Sequence, residues 1–296
     1  MNMKKNIYEG LITALVTPFK NGKIDETALA KLIEFQISAG VKGIVIGGST
    51  GEGTSLQDQD YYNLIKLSTQ IAGTKINIIA GLSSVSTEYA LNKAKILNQS
   101  GIDGIMCTVP HYIRPEQEGI INHFKLLHDN TDLPLILYIH LGRTGVDLAD
   151  NSILKLAECK RIVAIKDAGT DIMRPLRLSS KLPAYFTMMS GNDENCIAYS
   201  SHGGKGCISV ISNIFPNECQ QLQNYLKDGN YLEALKLQQE LFPIYEAMFA
   251  ESNPIGIKYT AQLLGLCSEE IKLPLTTARL ESKESIKKIL IEFGKI

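Results

Sequence analysis

The apolar run Ile162-Val163-Ala164-Ile165 closes on Lys166 and Asp167. A lysine in that place either snorkels to a rim or holds its amine against apolar walls. Such walls deprive the charged form of hydration, and the neutral amine is the species that attacks a carbonyl. A second run, Leu135-Ile136-Leu137, closes on Tyr138, and Arg143-Thr144-Gly145 begins five residues later. A phenol at a strand end is ordinarily core packing, but beside a lysine it shuttles protons during imine formation. Arg143 is either a solvated loop residue or a planar fork for a carboxylate.

A third run leads into Gly47-Gly48-Ser49-Thr50-Gly51-Glu52-Gly53. This segment makes a tight strand-to-helix turn. With the Ser49 and Thr50 hydroxyls and free backbone N–H groups, it also makes a cradle for an anion. It lacks the Gly-Lys-[Ser/Thr] ending of a phosphate loop. Further runs end on Pro110-His111-Tyr112, on Ser190-Gly191-Asn192-Asp193 and within Gly206-Cys207-Ile208-Ser209-Val210. Each is uninformative alone. On one rim, they would assemble a lysine, two tyrosines, two hydroxyls and an arginine, a set suited to imine chemistry. The five histidines include no His-Glu-x-x-His. His123 and His128 would sit roughly 140° apart on a helix, so they read as surface or packing residues. No metal and no cofactor is expected.

These groups share a rim only if the elements beneath them form one sheet. Strand-like runs start near Leu11, Gly43, Ile76, Gly104, Leu135, Ile162, Ala184 and Gly206, spaced 22 to 33 residues apart. Several are apolar at nearly every position, as suits a parallel strand buried on both faces. Amphipathic stretches lie between them. Asp25 to Ala39 is apolar at 29, 32, 33 and 37 with Gly40 as a stop, and Ser86 to Ser100 repeats the pattern before Gly101. Eight such units predict an α/β fold, a (β/α)₈ TIM barrel, whose catalytic groups project from the C-terminal ends of the strands. The competing doubly wound sheet would show a Gly-x-Gly-x-x-Gly turn after the first strand, where this chain has Thr17-Pro18-Phe19-Lys20-Asn21-Gly22. After Lys227 the strand signal stops. Helices are predicted over Asn230 to Phe249, from an Asn253 N-cap with Pro254 at the first helical position to about Leu264, and over Ser282 to Phe293. The expected division is a barrel domain over 1–228 and a C-terminal helical extension over 229–296 packed on it.

Composition narrows the setting. The 296 residues are 44% hydrophobic, ample for a large core, and 30 basic residues balance 31 acidic ones. No basic arm or face stands out, which argues against nucleic acid or anionic membrane as a partner. Two lysines near the N-terminus have no apolar h-region behind them, and Leu11 to Val16 is too short to span a bilayer. Six cysteines are scattered without a Cys-x-x-Cys pair, as in reduced cytoplasmic proteins. A soluble, cytoplasmic protein is expected.

From Val16-Thr17-Pro18 to Asn253-Pro254-Ile255-Gly256-Ile257-Lys258, the chain resembles the dihydrodipicolinate synthase / N-acetylneuraminate lyase family. The resemblance rests on the Gly-Gly-Ser-Thr-Gly-Glu turn, Pro110-His111-Tyr112 with Gln117-Glu118-Gly119, Tyr138 and Ile165-Lys166, in order and in register. It implies a barrel with a helical extension, assembled as a homotetramer built as a dimer of dimers. It also implies that Lys166 forms a Schiff base with pyruvate and that Tyr138 relays protons over the imine. Ser49, and Tyr112 reaching in from a neighbouring subunit, would complete the relay. Thr50 would bind the pyruvate carboxylate, and the backbone at Gly191 and Ile208 would face the site. The Arg143-Thr144-Gly145 segment resembles the synthase branch, where the arginine holds the carboxylate of aspartate semialdehyde; sialic acid and keto-deoxy sugar acid lyases are the alternative. The implied reaction is condensation of pyruvate with L-aspartate 4-semialdehyde, at the entry to diaminopimelate and lysine. This chain departs from the family in having serine at 49, His111 in place of an aromatic, and Ile139-His140-Leu141-Gly142 where Asn-x-Pro is usual. The positions near Tyr61, Val85 and Tyr89, where feedback-inhibited members bind lysine, do not match, so inhibition by lysine is not expected.

Two readings from other classes stand beside this one. A barrel that binds a metabolite without turnover would leave Lys166 unable to form an imine. A phosphate-binding isomerase is hinted at by Gly203-Gly204-Lys205-Gly206, but that turn precedes a strand, where barrel active sites do not lie.

Overall fold

The structure, a computed structural model, describes residues 7–296. Its strands are β1 (Gly10–Ala14), β2 (Gly43–Ile46), β3 (Asn77–Leu82), β4 (Gly104–Thr108), β5 (Leu135–Ile139), β6 (Ile162–Asp167), β7 (Thr187–Ser190) and β8 (Gly206–Ser209). All eight pair in parallel and close into a barrel, with β1 bonded to both β2 and β8. A short antiparallel hairpin, Phe19–Lys20 with Lys23–Ile24, stands outside it. The helices are α1 (Glu26–Ser38), α2 (Asp58–Ala72), α3 (Thr87–Leu97), α4 (Gln117–Asn130), α5 (Leu141–Thr144), α6 (Asp150–Ala157), α7 (Arg174–Leu178), α8 (Cys196–Ser201), α9 (Pro216–Lys227), α10 (Tyr231–Phe249), α11 (Ile255–Leu263) and α12 (Leu280–Glu292). The (β/α)₈ barrel read from the sequence is the fold.

Both faces of each strand are covered, which is why the strands tolerate no polar alternation. One face packs inside the barrel, where Ile12, Val45, Ile79, Met106, Ile136, Ala164, Met189 and Ile208 meet. The other meets the helices, through Ile44, Ile78, Ile105, Leu137 and Ile165 among others. Local signals set the helix ends. The Asp25 carboxylate accepts the Ala28 N–H at 3.0 Å to start α1, and Gly40, at φ +73°, ends it. The Ser86 hydroxyl caps α3 in the same way through the Tyr89 N–H.

Two local expectations are corrected. The seventh strand begins at Thr187, not near Ala184, because Pro183 accepts the Phe186 N–H in a turn that delays the ladder. Asn253 does not cap α11, which starts at Ile255 with Pro254 at the cap position. The Asn253 amide is used elsewhere, donating to the Thr50 hydroxyl at 2.9 Å. The helices beyond residue 229 share a core with the barrel helices, through Leu241, Ile244, Tyr245, Met248, Ile257, Ile286 and Leu290.

Candidate active site

A one-residue irregularity aims the lysine. Leu135 pairs with Ile162 but Ile136 pairs with Ala164, so Val163 is an extra residue on β6. Along β5, Leu135, Leu137 and Ile139 face the helices while Ile136 and Tyr138 face the barrel interior. Along β6, Ile162 faces out, Val163 and Ala164 both pack on the interior cluster, and Ile165 faces out again. Lys166 therefore points inward. Without the bulge, alternation would turn it to the helices, and re-aiming a side chain in this manner is a recurrent use of bulges.

Lys166 is 4% exposed and stands in register with Tyr138. Its ammonium lies 4.6 Å from the centroid of the phenol ring, within the range of a cation–π contact. Ile208 and Met189 belong to the same interior cluster. The next residue, Asp167, is buried against Arg174, whose Nη1 donates to both carboxylate oxygens at 3.1 Å. Burial raises the Asp167 carboxyl while Arg174 opposes that shift. Arg174 also reaches Asp147 at 2.7 Å. This carboxylate is committed to holding the strand end. Gly191 closes over it, its N–H donating to the Asp167 carbonyl at 2.7 Å. A Cβ at Gly191 would lie 2.6 Å from that of Ala168, so only glycine fits. Asp193, two residues on, is buried and accepts the Val210 and Ile211 N–H groups, fixing the turn after β8.

The glycine-rich loop forms the facing wall. Gly53 folds back so that a Cβ would stand 1.8 Å from the Gly47 carbonyl oxygen. Ser49 is half-buried and Thr50 buried. Glu52 takes a left-handed φ of +54°, which costs a non-glycine residue about 1–3 kcal/mol. Tertiary contacts hold it there. Its carboxylate, fully buried, receives Lys258 Nζ from α11 at 2.6 Å and the Lys272 N–H at 2.7 Å. Lys258 also bonds the Glu270 carbonyl and lies 4.2 Å from the Phe19 ring centroid. Burial lowers the Lys258 pKa, and Glu52 opposes that shift.

Arg143 lies on α5 and is exposed. Its Nη2 donates to the Asn253 carbonyl at 3.2 Å. Asn253 thus joins Arg143 to Thr50, a link across more than a hundred residues that no local pattern announces. His140, two residues beyond Tyr138, meets that ring edge-on at 6.2 Å. Burial, with Arg143 and Lys166 nearby, lowers its pKa to about 4. The structure brings Lys166 and Tyr138 together, and links Arg143 to Thr50 through Asn253. It does not bury Tyr112 with them. Tyr112 is 86% exposed at a left-handed φ of +68°, next to exposed Ile113. Asn253, His140 and the Glu52–Lys258 pair were not among the residues singled out for chemistry. The glycine-rich turn ending on Glu52, the unusual Ile139–Gly142 segment and the Asn253–Lys258 segment pointed near them without giving them a role.

A cavity of about 240 Å³ lies behind the same loop, lined by Gly53, Tyr61, Ser84, Val85, Tyr89 and Lys93 among others. Lys93 Nζ is 3.1 Å from Asp58, which also accepts the Tyr89 hydroxyl at 2.6 Å. Among the described residues no group of three or more His, Cys, Asp or Glu is placed to hold a metal, and no helix is long and apolar enough to cross a membrane.

A closed parallel barrel with a buried lysine and phenol at the C-terminal ends of adjacent strands defines the class of (β/α)₈-barrel enzymes. Within that class, the Dihydrodipicolinate synthetase family matches residues 7–293, and the chain belongs to this family. It is 45% identical to the 4-hydroxy-tetrahydrodipicolinate synthase of Rickettsia bellii (strain RML369-C), over 96% of this chain and 97% of that one. The solved dihydrodipicolinate synthase of Aquifex aeolicus superposes with a TM-score of 0.95 at 33% identity, covering 97% of this chain and 98% of the other. That of Thermotoga maritima gives 0.95 at 33% identity, covering 98% and 100%. The chain is thus an enzyme, a lyase of the dihydrodipicolinate synthase type.

Proposed function

We propose that this chain condenses pyruvate with L-aspartate 4-semialdehyde to give 4-hydroxy-tetrahydrodipicolinate, in the diaminopimelate route to lysine. The observation that carries the chemistry is the inward, buried Lys166 in register with Tyr138. Lys166 Nζ attacks C2 of pyruvate, and the carbinolamine loses water to leave an iminium. A proton leaves the methyl carbon and the C–N π electrons collapse to an enamine. The enamine carbon attacks the aldehyde, and the new alkoxide takes up a proton. The acceptor's own amine then adds to C2, and the C–N bond to Lys166 breaks. The iminium stabilises the carbanion electrons within a covalent intermediate.

Tyr138 relays protons over the imine, with the Ser49 hydroxyl as the next station. Thr50 and the backbone N–H groups beside it receive the pyruvate carboxylate, and Gly191 and Ile208 line the site from the far wall. Arg143 receives the acceptor's carboxylate through its planar fork, a role an amino sugar would leave idle. In a tetramer built as a dimer of dimers, Tyr112 serves a neighbouring copy's site. Its exposure and its strained φ favour that role. The catalytic unit is the barrel over 1–228, with residues 229–296 as a buttress. All six cysteines are free thiols, which suits the cytoplasm.

The test is pyruvate consumption by the purified chain with L-aspartate 4-semialdehyde or N-acetylmannosamine as acceptor. Turnover with the semialdehyde alone is expected, and turnover with the amino sugar alone would replace this reading. In parallel, borohydride should trap one pyruvate per chain on wild type and none on Lys166→Ala. An equal yield from the variant would remove Lys166 from the mechanism.

A further inference from the structure

We infer that His140 is a specificity-determining residue for the acceptor, offering its Nδ1 lone pair to the α-ammonium group of the amino acid whose carboxylate Arg143 holds. The inference rests on the function proposed above. It starts from the alternation of β5, in which Ile136 and Tyr138 face the barrel interior. His140 continues that face one step nearer the mouth, as its edge-on contact with the Tyr138 ring shows. Its backbone carbonyl accepts the Arg143 and Thr144 N–H groups at 2.8 and 3.0 Å, so imidazole and guanidinium leave the same turn. The ring packs against Gly142 of that turn, where a Cβ would be in van der Waals contact, 3.4 Å from His140 Cε1.

The decisive feature is an unmet polar group. His140 Nδ1 is shut off from solvent and has no hydrogen-bond partner among the described residues. A buried nitrogen left unpaired is destabilising, and a ligand donor would remove that penalty. Burial keeps the ring neutral, and the cations Arg143 and Lys166 act in the same direction. Their field favours the tautomer that turns a lone pair inward instead of an N–H. Asn253, which holds the Arg143 guanidinium through its carbonyl, repeats the arrangement. Its Nδ2 is spent on Thr50, while its Oδ1 is buried without a partner among the described residues. Two orphaned acceptors on residues that both touch Arg143 are complementary to an α-amino acid, a carboxylate with an ammonium beside it. A semialdehyde lacking the amino group would leave both unpaired.

The experiment compares L-aspartate 4-semialdehyde as substrate with succinate semialdehyde, its des-amino analogue, as an inhibitor competing for the acceptor site. His140→Phe keeps the ring contact with Tyr138 and removes the nitrogen. KM for the amino substrate should rise about tenfold, and Ki for the analogue should stay within about twofold. The yield of borohydride-trapped pyruvate should be unchanged. His140→Asn, which restores a polar atom near the Nδ1 position, should recover part of the loss. Equal weakening of substrate and analogue would make His140 a shaper of the loop only and overturn the inference, as would an unchanged KM. If wild type turns over no semialdehyde, the proposed function falls first and this inference with it.

Discussion

Tyr138 and Lys166 are partners in the β5–β6 ladder, and the ammonium rests 4.6 Å from the phenol ring centroid. The ring is thus a wall for the amine as well as a source of a proton. Tyr138→Phe separates the two roles, because it keeps the wall and deletes the hydroxyl. Turnover should fall by about 10²–10⁴-fold, the range of a lost general acid–base group. The pyruvate adduct should still be trapped by borohydride, only more slowly. A rate within a few-fold of wild type would show that the relay runs through another group.

Arg143 is exposed, and among the described residues its side chain makes one hydrogen bond, to the Asn253 carbonyl. Arg143→Ala should raise KM for the semialdehyde by about 10-fold or more, the worth of a charge-assisted hydrogen bond. KM for pyruvate and adduct yield should hold. If both acceptor and pyruvate kinetics decline together, the arginine is anchoring the start of α11 instead.

The Glu52–Lys258 pair joins the glycine-rich loop to α11, with Lys258 1% exposed. Lys258→Met strands the Glu52 carboxylate in the interior and should cost about 3–5 kcal/mol, read as a lowered urea midpoint. Glu52→Gln combined with Lys258→Met should recover much of that. A double variant no more stable than Lys258→Met alone would mean the pair matters through packing around Phe19, not charge.

His123, buried between α3 and α4, bonds the Thr87 hydroxyl at 2.9 Å. Burial lowers its pKa from 6.5 to about 4. As pH falls, the unfolded chain takes up this proton first, so His123 contributes stability fully above about pH 6.5 that is lost towards about pH 4. The loss should amount to about 3 kcal/mol. Urea midpoints between pH 7 and 4 should fall less steeply in His123→Gln than in wild type. Parallel curves would assign acid sensitivity to other groups.

The cavity behind the loop presents Lys93, Val85 and Tyr89, with no carboxylate among its lining residues. Asp58, nearby, is already engaged by Lys93 and Tyr89. The two ammonium groups of lysine find no carboxylate on that lining, and the cation that could take its carboxylate, Lys93, is already paired with Asp58. L-Lysine at millimolar concentration should therefore leave the initial rate unchanged, and partial inhibition would show that the cavity rearranges.

What could be read along the chain was whatever is encoded over a turn or a strand. Short continuous apolar runs that alternate with amphipathic stretches suit strands covered on both faces, so Ile162–Ile165 and Leu135–Leu137 marked both the barrel and the positions of Lys166 and Tyr138. The caps at Asp25 and Ser86 were legible for the same reason, since a cap needs only three residues. Counting residues did not disclose which way Lys166 points, because that depends on the bulge at Val163, and a bulge exists only relative to a neighbouring strand. Nor did it disclose Asn253 beside Thr50, Lys258 beneath Glu52, or the unpartnered nitrogen of His140. Those pairings lie up to about two hundred residues apart in the chain, and their energies arise from desolvation and hydrogen-bond completion, which have no value until the barrel has closed and water has left.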